Sequence, residues 1–231
     1  MKPEISLETG PADTEPTWKQ RAVERSTRAT KQRAEQRVQR FLDAAQELMA
    51  DKGTTDFTVQ EVVDRSGQSL RSFYQHFDGK HELLLALFED ALSRTGDALR
   101  AATSGPGAAE GPVARLEAAT RLLFAMCRPG PGDLHPLFSE FAPRLLLTHP
   151  DEVRLAHAPV LGVLADLMEG VDAAGGLRSG MRPRRAAAML MQTTMFLSQS
   201  AIGVNPDGPA PRPLTADEVW AFCSGGFGTR T

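Results

Sequence analysis

The sequence is short of the residues that would mark many protein classes. It has one tyrosine, two tryptophans and two cysteines in 231 residues. Cys127 and Cys223 make neither a disulfide framework nor a metal-binding spacing, so free thiols in a reducing compartment are expected. No stretch approaches the roughly 18 uninterrupted apolar residues of a membrane span. Met1 to Pro16 lacks the charged-then-apolar order of a secretion signal, so a cytoplasmic chain with no membrane partner is expected. Alternating apolar runs, the mark of half-buried strands, are almost absent. There is no phosphate-cradling glycine loop and no nucleophile elbow. His76, His81, His135, His149 and His157 are scattered, without metal-ligand spacing. Catalysis, a cofactor and a bound metal are therefore not expected.

What is present is an ordinary globular composition, 41% hydrophobic and 24% charged, with a formal net charge of −3. The charge is unevenly spread. Residues 17–40 carry eight basic side chains against two acids, whereas residues 41–112 carry six against twelve. Residues 113–231 balance eleven against eleven. Residues 1–34 read as a basic, disordered arm, helical only toward its end. Such a charge run is either a solvated tail or a phosphate-contacting arm.

Apolar residues recur at three and four, the helical period, so an all-α fold is expected. Val38, Phe41, Leu42, Ala45, Leu48 and Met49 form one stripe, which Gly53 ends. Thr58 to Glu61 is a capping box that opens a second helix, running to about Ser66. After a turn at Gly67, a short third helix spans about Ser69 to Phe77. Leu70, Phe73 and Phe77 are expected inward. A fourth begins near Lys80 and reaches about Ala102. Further helices are expected over about 113–127, 136–148, 151–174, 182–202 and 215–223, the last opened by a second capping box, Thr215 to Glu218.

Two short helices joined at a glycine and braced by a longer helix make a helix-turn-helix. Such a unit sets its second helix in the major groove, where all four base pairs differ. Gln68, Ser69, Arg71, Ser72, Gln75 and His76 are expected to face outward as base readers. Arg71 suits guanine O6 and N7, and Gln75 suits adenine N6 and N7. Thr58 and Lys80 sit at helix N-termini, which attract phosphate. Arg65, Arg71 and Lys80 against Asp78 alone predict a locally positive surface.

The runs Thr58-Val-Gln-Glu-Val-Val-Asp-Arg-Ser-Gly67, Ser69-Leu-Arg-Ser-Phe-Tyr-Gln-His-Phe77 and Asp-Gly-Lys80-His-Glu-Leu-Leu84 resemble the DNA-binding domain of the TetR (tetracycline-repressor-like) family of bacterial regulators. The resemblance covers about residues 35–90. It implies phosphate contacts from Thr58, Tyr74 and Lys80, and base contacts from the outward face of the third helix. Gln68-Ser69-Leu70 departs from the common pattern of a small apolar residue, Ser, then a polar residue. The resemblance also implies a helix-turn-helix domain over 35–82 joined by a long helix to a helical ligand-binding and dimerisation domain over 83–231.

In that second domain the helix near 182–202 is more apolar than one stripe needs, which suits burial on two sides. Met189, Phe196, Trp220 and Phe222 are the expected homodimer contacts. Arg121, Phe124, Phe138, Phe141, Met168, Gln192 and Met195 are the expected pocket residues, with His135, Glu140 and His157 as further polar candidates and a hydrophobic small-molecule effector. The function expected is sequence-specific binding of double-stranded DNA by a homodimer, as a ligand-released repressor on a palindromic operator. The competing reading is a ligand-independent or architectural DNA-binding protein.

Overall fold

The computed structural model describes residues 17–105, 107–128, 136–199 and 213–228. The expectations for residues 1–16, for His135 and for the last residues of the 182–202 helix fall outside them. The chain divides into two compact units, Met1–Arg40 and Phe41–Thr231.

In the first unit the basic segment is helical. It belongs to α1 (Thr17–Lys52), a 36-residue helix. The expected disorder of the arm is therefore corrected for residues 17–34. These residues include neither glycine nor proline and are rich in Arg, Lys, Gln, Glu and Ala, which lose little freedom in a helix. Arg25 Nε donates to the Arg21 carbonyl, and Lys31 lies 3.7 Å from Glu35 one turn on. The segment has no apolar stripe, so helix propensity alone marks it in the sequence.

The second unit holds α2 (Val59–Ser66), α3 (Leu70–Tyr74), α4 (Lys80–Ser104), α5 (Pro112–Cys127), a π-helical turn (Leu137–Phe141), α6 (Ala142–Thr148), α7 (Pro150–Ala156), α8 (Ala158–Ala173), α9 (Pro183–Gln199) and α10 (Ala216–Phe227). Among the described residues the only extended pairing is one isolated antiparallel bridge, Leu177 to Gly228. The all-α expectation holds.

Three prolines explain where the helices differ from the periodic pattern. The expected 151–174 helix is broken at His157 into α7 and α8, because Pro159 has no N–H to donate to the preceding turn. Pro150 starts α7 at a position where the missing N–H is harmless. The expected 136–148 helix opens as a π turn, in which the Ala142 N–H donates to the Leu137 carbonyl. Pro143, next in line, cannot donate to the carbonyl four residues back, and the chain widens before it.

The head of the unit is built on an aromatic cluster. Phe41 meets Phe73 edge-on at 5.4 Å and Phe77 at 6.2 Å. All three rings are buried, together with Phe57, Val62 and Val63. Removing a ring of this kind costs about 3–5 kcal/mol. From the head, α4 continues into the C-terminal bundle, where it packs on α5 and α8, while α9 packs on α5 and α8. Leu83, Leu84, Leu87, Phe88, Leu92 and Leu99 form its buried face. Gly96 lets α4 and α8 close up: a Cβ there would stand 3.1 Å from the Pro159 carbonyl carbon.

Candidate nucleic-acid interface

The second helix of the head is capped as its sequence predicts. Thr58 Oγ1 accepts the Glu61 N–H at 3.2 Å, and Glu61 Oε2 accepts the Thr58 N–H at 2.8 Å. Lys52 Nζ reaches Glu61 Oε1 at 2.7 Å. These partners, Lys52 first and Thr58 second, hold the Glu61 carboxyl down to about 2. The turn then depends on Gly67, whose φ of 63° a β-carbon would disfavour. Ser69 caps α3 by accepting the Ser72 N–H at 3.1 Å.

The third helix is shorter than expected. Regular α geometry stops at Tyr74, although the His76 and Phe77 N–H groups still donate to the Phe73 carbonyl. Its facing also differs in part. Ser69, Arg71 and Gln75 are exposed, as expected of base readers. Leu70, expected inward, is 43% exposed. Ser72 and His76, expected outward, are half-buried, and Ser72 Oγ and His76 Nε2 are shielded atoms with no hydrogen-bond partner. Gln68 is half-buried at the turn. The physical reason is brevity: with only Phe73 fully buried, five residues give no periodic inner face to extrapolate.

Of the expected phosphate contacts, Thr58 is exposed and Tyr74 is 56% exposed, so neither is a core residue. Lys80 is tethered. Its Nζ donates to the Thr55 carbonyl at 3.3 Å and stands 5.5 Å above the Phe57 ring. The surface is less positive than the sequence suggests, because Arg65 is paired with Asp51 at 2.9 Å and Glu47 at 3.4 Å. Arg71 makes no ion pair among the described residues.

A contact that no sequence spacing reveals ties this head to the C-terminal helices. Glu140, in the π turn, offers one oxygen, Oε2, to three donors at 2.9 Å: Thr54 Oγ1, Thr55 N–H and Thr55 Oγ1. These bonds, led by the Thr55 N–H, lower its pKa. Thr55 thus stands between Glu140 and Lys80.

The expected pocket residues are placed variously. Phe124, Phe141, Met168 and Met195 are buried, and Phe138 is half-buried beside Phe88 at 5.6 Å. His157 is buried, its Nδ1–H donating to the Val153 carbonyl at 2.7 Å. Arg121 is exposed, pairs with Glu117 one turn back on α5 and links α5 to α10 through Asp217, and Gln192 is exposed. None of the seven expected residues lines the apolar cavity of about 230 Å³ between α9 and α10, whose walls include Ala186, Met189, Leu190, Phe222 and Phe227. Thr194, which sequence reasoning passed over, is fully buried with no hydrogen-bond partner for Oγ1. Of the expected dimer contacts, Met189, Phe196 and Phe222 are 61%, 72% and 72% exposed, whereas Trp220 is buried against Phe227.

Two short helices at a glycine turn, braced by α1 and α4 and presenting a polar outer face, make a helix-turn-helix. Residues 41–87 match the family model described as bacterial regulatory proteins, tetR family. The likeness to that family lies in this domain. It is 37% identical over 60 residues, 26% of its length, to the HTH-type transcriptional regulator SrpR of Pseudomonas putida, and spans 28% of that relative. Two solved structures extend the likeness in fold. FadR from Bacillus subtilis in complex with stearoyl-CoA shares 17% identity at a TM-score of 0.63, over 81% of this chain and 98% of that one. FadR from Bacillus halodurans shares 18% at 0.62, over the same fractions. No helix among the described residues is long and apolar enough to cross a membrane.

Proposed function

We propose that the chain is a cytoplasmic transcriptional repressor that binds a palindromic operator as a homodimer and is released by a small apolar effector. The observation that carries this reading is the outer face of the head. Ser69, Arg71 and Gln75 stand exposed on the second helix of the turn, flanked by Thr58, Tyr74 and Lys80 at its edges. Arg71 and Gln75 read bases, and the flanking groups hold phosphates. Ser72, His76 and Gln68 contribute from partly shielded positions. Exposed Met189, Phe196 and Phe222 suit a second copy of the chain, since an interface core is built from such side chains.

Release follows from the Glu140 contact. An effector entering among the buried Phe124, Phe141, Met168 and Met195 would shift the π turn, and with it the loop that holds Lys80. The shielded Thr194 hydroxyl is a polar anchor of the kind such pockets use. The second reading, ligand-independent DNA binding, is favoured by the full burial of those same apolar residues, which also suits a solid core.

Selection of bound DNA from a random pool tests the reading. A two-fold symmetric consensus is expected, with specificity relaxed at one position per half-site in Arg71→Ala. An asymmetric or absent consensus would overturn it. Stearoyl-CoA, the ligand of one structural neighbour, is the first effector probe. Release by no apolar compound would leave the ligand-independent reading.

A further inference from the structure

The histidines that look scattered in sequence are not all scattered in space. His81 lies in the first turn of α4, His149 at the junction of α6 and α7, and Glu152 in the first turn of α7. One ligand atom from each lies within 4.8 Å of the other two. His81 Nε2 is 3.6 Å from Glu152 Oε2, and the His81 and His149 rings have centroids 5.0 Å apart. Glu152 Oε2 is shielded from solvent and has no hydrogen-bond partner. We propose that His81, His149 and Glu152 form a binding site for a divalent transition metal of the zinc class, which staples the start of α4 to α7.

The donor set selects the ion. Two imidazoles and one carboxylate suit Zn²⁺ and its neighbours, whereas Mg²⁺ and Ca²⁺ take oxygen-only shells. Metal–ligand distances of about 2.0–2.2 Å in a tetrahedron put neighbouring ligand atoms roughly 3.3–3.6 Å apart. The 3.6 Å pair is already near that value, and the widest separation closes by rotation of the exposed His81 ring. His149 is prepared for the role. Its Nδ1 hydrogen-bonds the Thr148 hydroxyl at 2.8 Å, which fixes the ring and leaves Nε2 to the metal. Glu152 follows His149 by three residues, so both project from one turn, while His81 comes from the helix that leaves the DNA-binding head. The Phe141 ring also lies against the His81 ring, with centroids 5.5 Å apart. Three protein ligands leave a fourth position for water.

The site can be tested on the untagged full chain without DNA. Zn²⁺ titration followed by calorimetry should give one saturable site per chain, with a Kd of about micromolar or tighter. Co²⁺ should give visible absorption bands of a four-coordinate ion. Saturating Zn²⁺ should raise the melting temperature, since it binds only the folded chain. His81→Ala, His149→Ala and Glu152→Gln should each weaken binding by at least about ten-fold and remove the thermal shift. Because His149 sits at a helix junction, its variant could lose affinity through misfolding. Histidine ring NMR of the wild type keeps the test independent: the His81 and His149 resonances should move on Zn²⁺ addition while those of His157 stay. Absence of saturable binding up to about millimolar Zn²⁺, unchanged affinity in folded His81→Ala, or movement of other histidines only would overturn the proposal.

Discussion

Replacing Glu140 by alanine removes one oxygen on which three donors converge, and its effect can be worked out in advance. A hydrogen bond to a charged acceptor contributes about 1.5–3 kcal/mol when well shielded. Here the site is only part-buried, and water can replace the acceptor for at least one donor. The expected loss for Glu140→Ala is therefore about 1–3 kcal/mol in total rather than per bond. For a chain of this size that lowers the melting temperature by roughly 2–4 °C per kcal/mol. Glu140→Gln keeps an oxygen but loses the charge, and should fall between the two. Urea unfolding at neutral pH measures both. Adding Thr55→Val to Glu140→Ala should cost less than the two changes summed, because both remove the Thr55 Oγ1 bond to Glu140. Since the folded pKa of Glu140 is lowered from 4.5, its contribution is complete above the ordinary carboxylate range. It is lost as the pH falls through the folded value, so wild type and Glu140→Gln should converge in acid. A Glu140→Ala protein within about 0.3 kcal/mol of wild type, or strict additivity with Thr55→Val, would refute the reasoning.

Other consequences can be checked as directly. Gly96→Ala gains about 1 kcal/mol of helix propensity but drives a methyl into the Pro159 backbone, and overpacking of that kind costs about 1–3 kcal/mol. A net loss of stability is expected in denaturant titration. Burial lowers the pKa of His157 from 6.5, so the stability it protects is present above pH 6.5 and lost as the pH falls through the folded value. Replacing His157 by Gln should flatten that part of the stability–pH curve. Burial pushes the Cys127 thiol up to about 12, so alkylation at pH 8 should spare it until the protein is denatured, as read by mass spectrometry. Removing residues 1–34 should reduce the salt slope of DNA binding if the basic part of α1 contacts phosphate, and an unchanged slope would count against such contacts.

Local chemistry was legible in the sequence, and distant pairings were not. Both capping boxes, at Thr58 and at Thr215, stand in the structure as their four-residue spacing predicts. The stripe from Phe41 to Met49 is buried as its period requires. The break at His157 carried a signal, Pro159, but the surrounding apolar period outweighed it. Leu70 was misplaced because one turn and a half of helix has too few positions to define a face. Glu140 meets Thr54 and Thr55 across more than eighty residues of chain, and His81 meets His149 and Glu152 across about seventy. Nothing in one-dimensional spacing marks such meetings, since the fold alone brings the elements together.

The shortness of α3 has a bearing on how this protein could change its target. Only Phe73 anchors the helix in the core, while Leu70, Arg71, Tyr74 and Gln75 project into solvent. Substitutions at Leu70, Arg71 and Gln75 leave the aromatic cluster of the head untouched, whereas the Tyr74 ring packs edge-on against Phe73 at 5.4 Å. On the function proposed above, the residues that would face DNA and those that fold the head are largely separate. A new operator preference can therefore be drafted on the surface of α3 without first redesigning the domain beneath it.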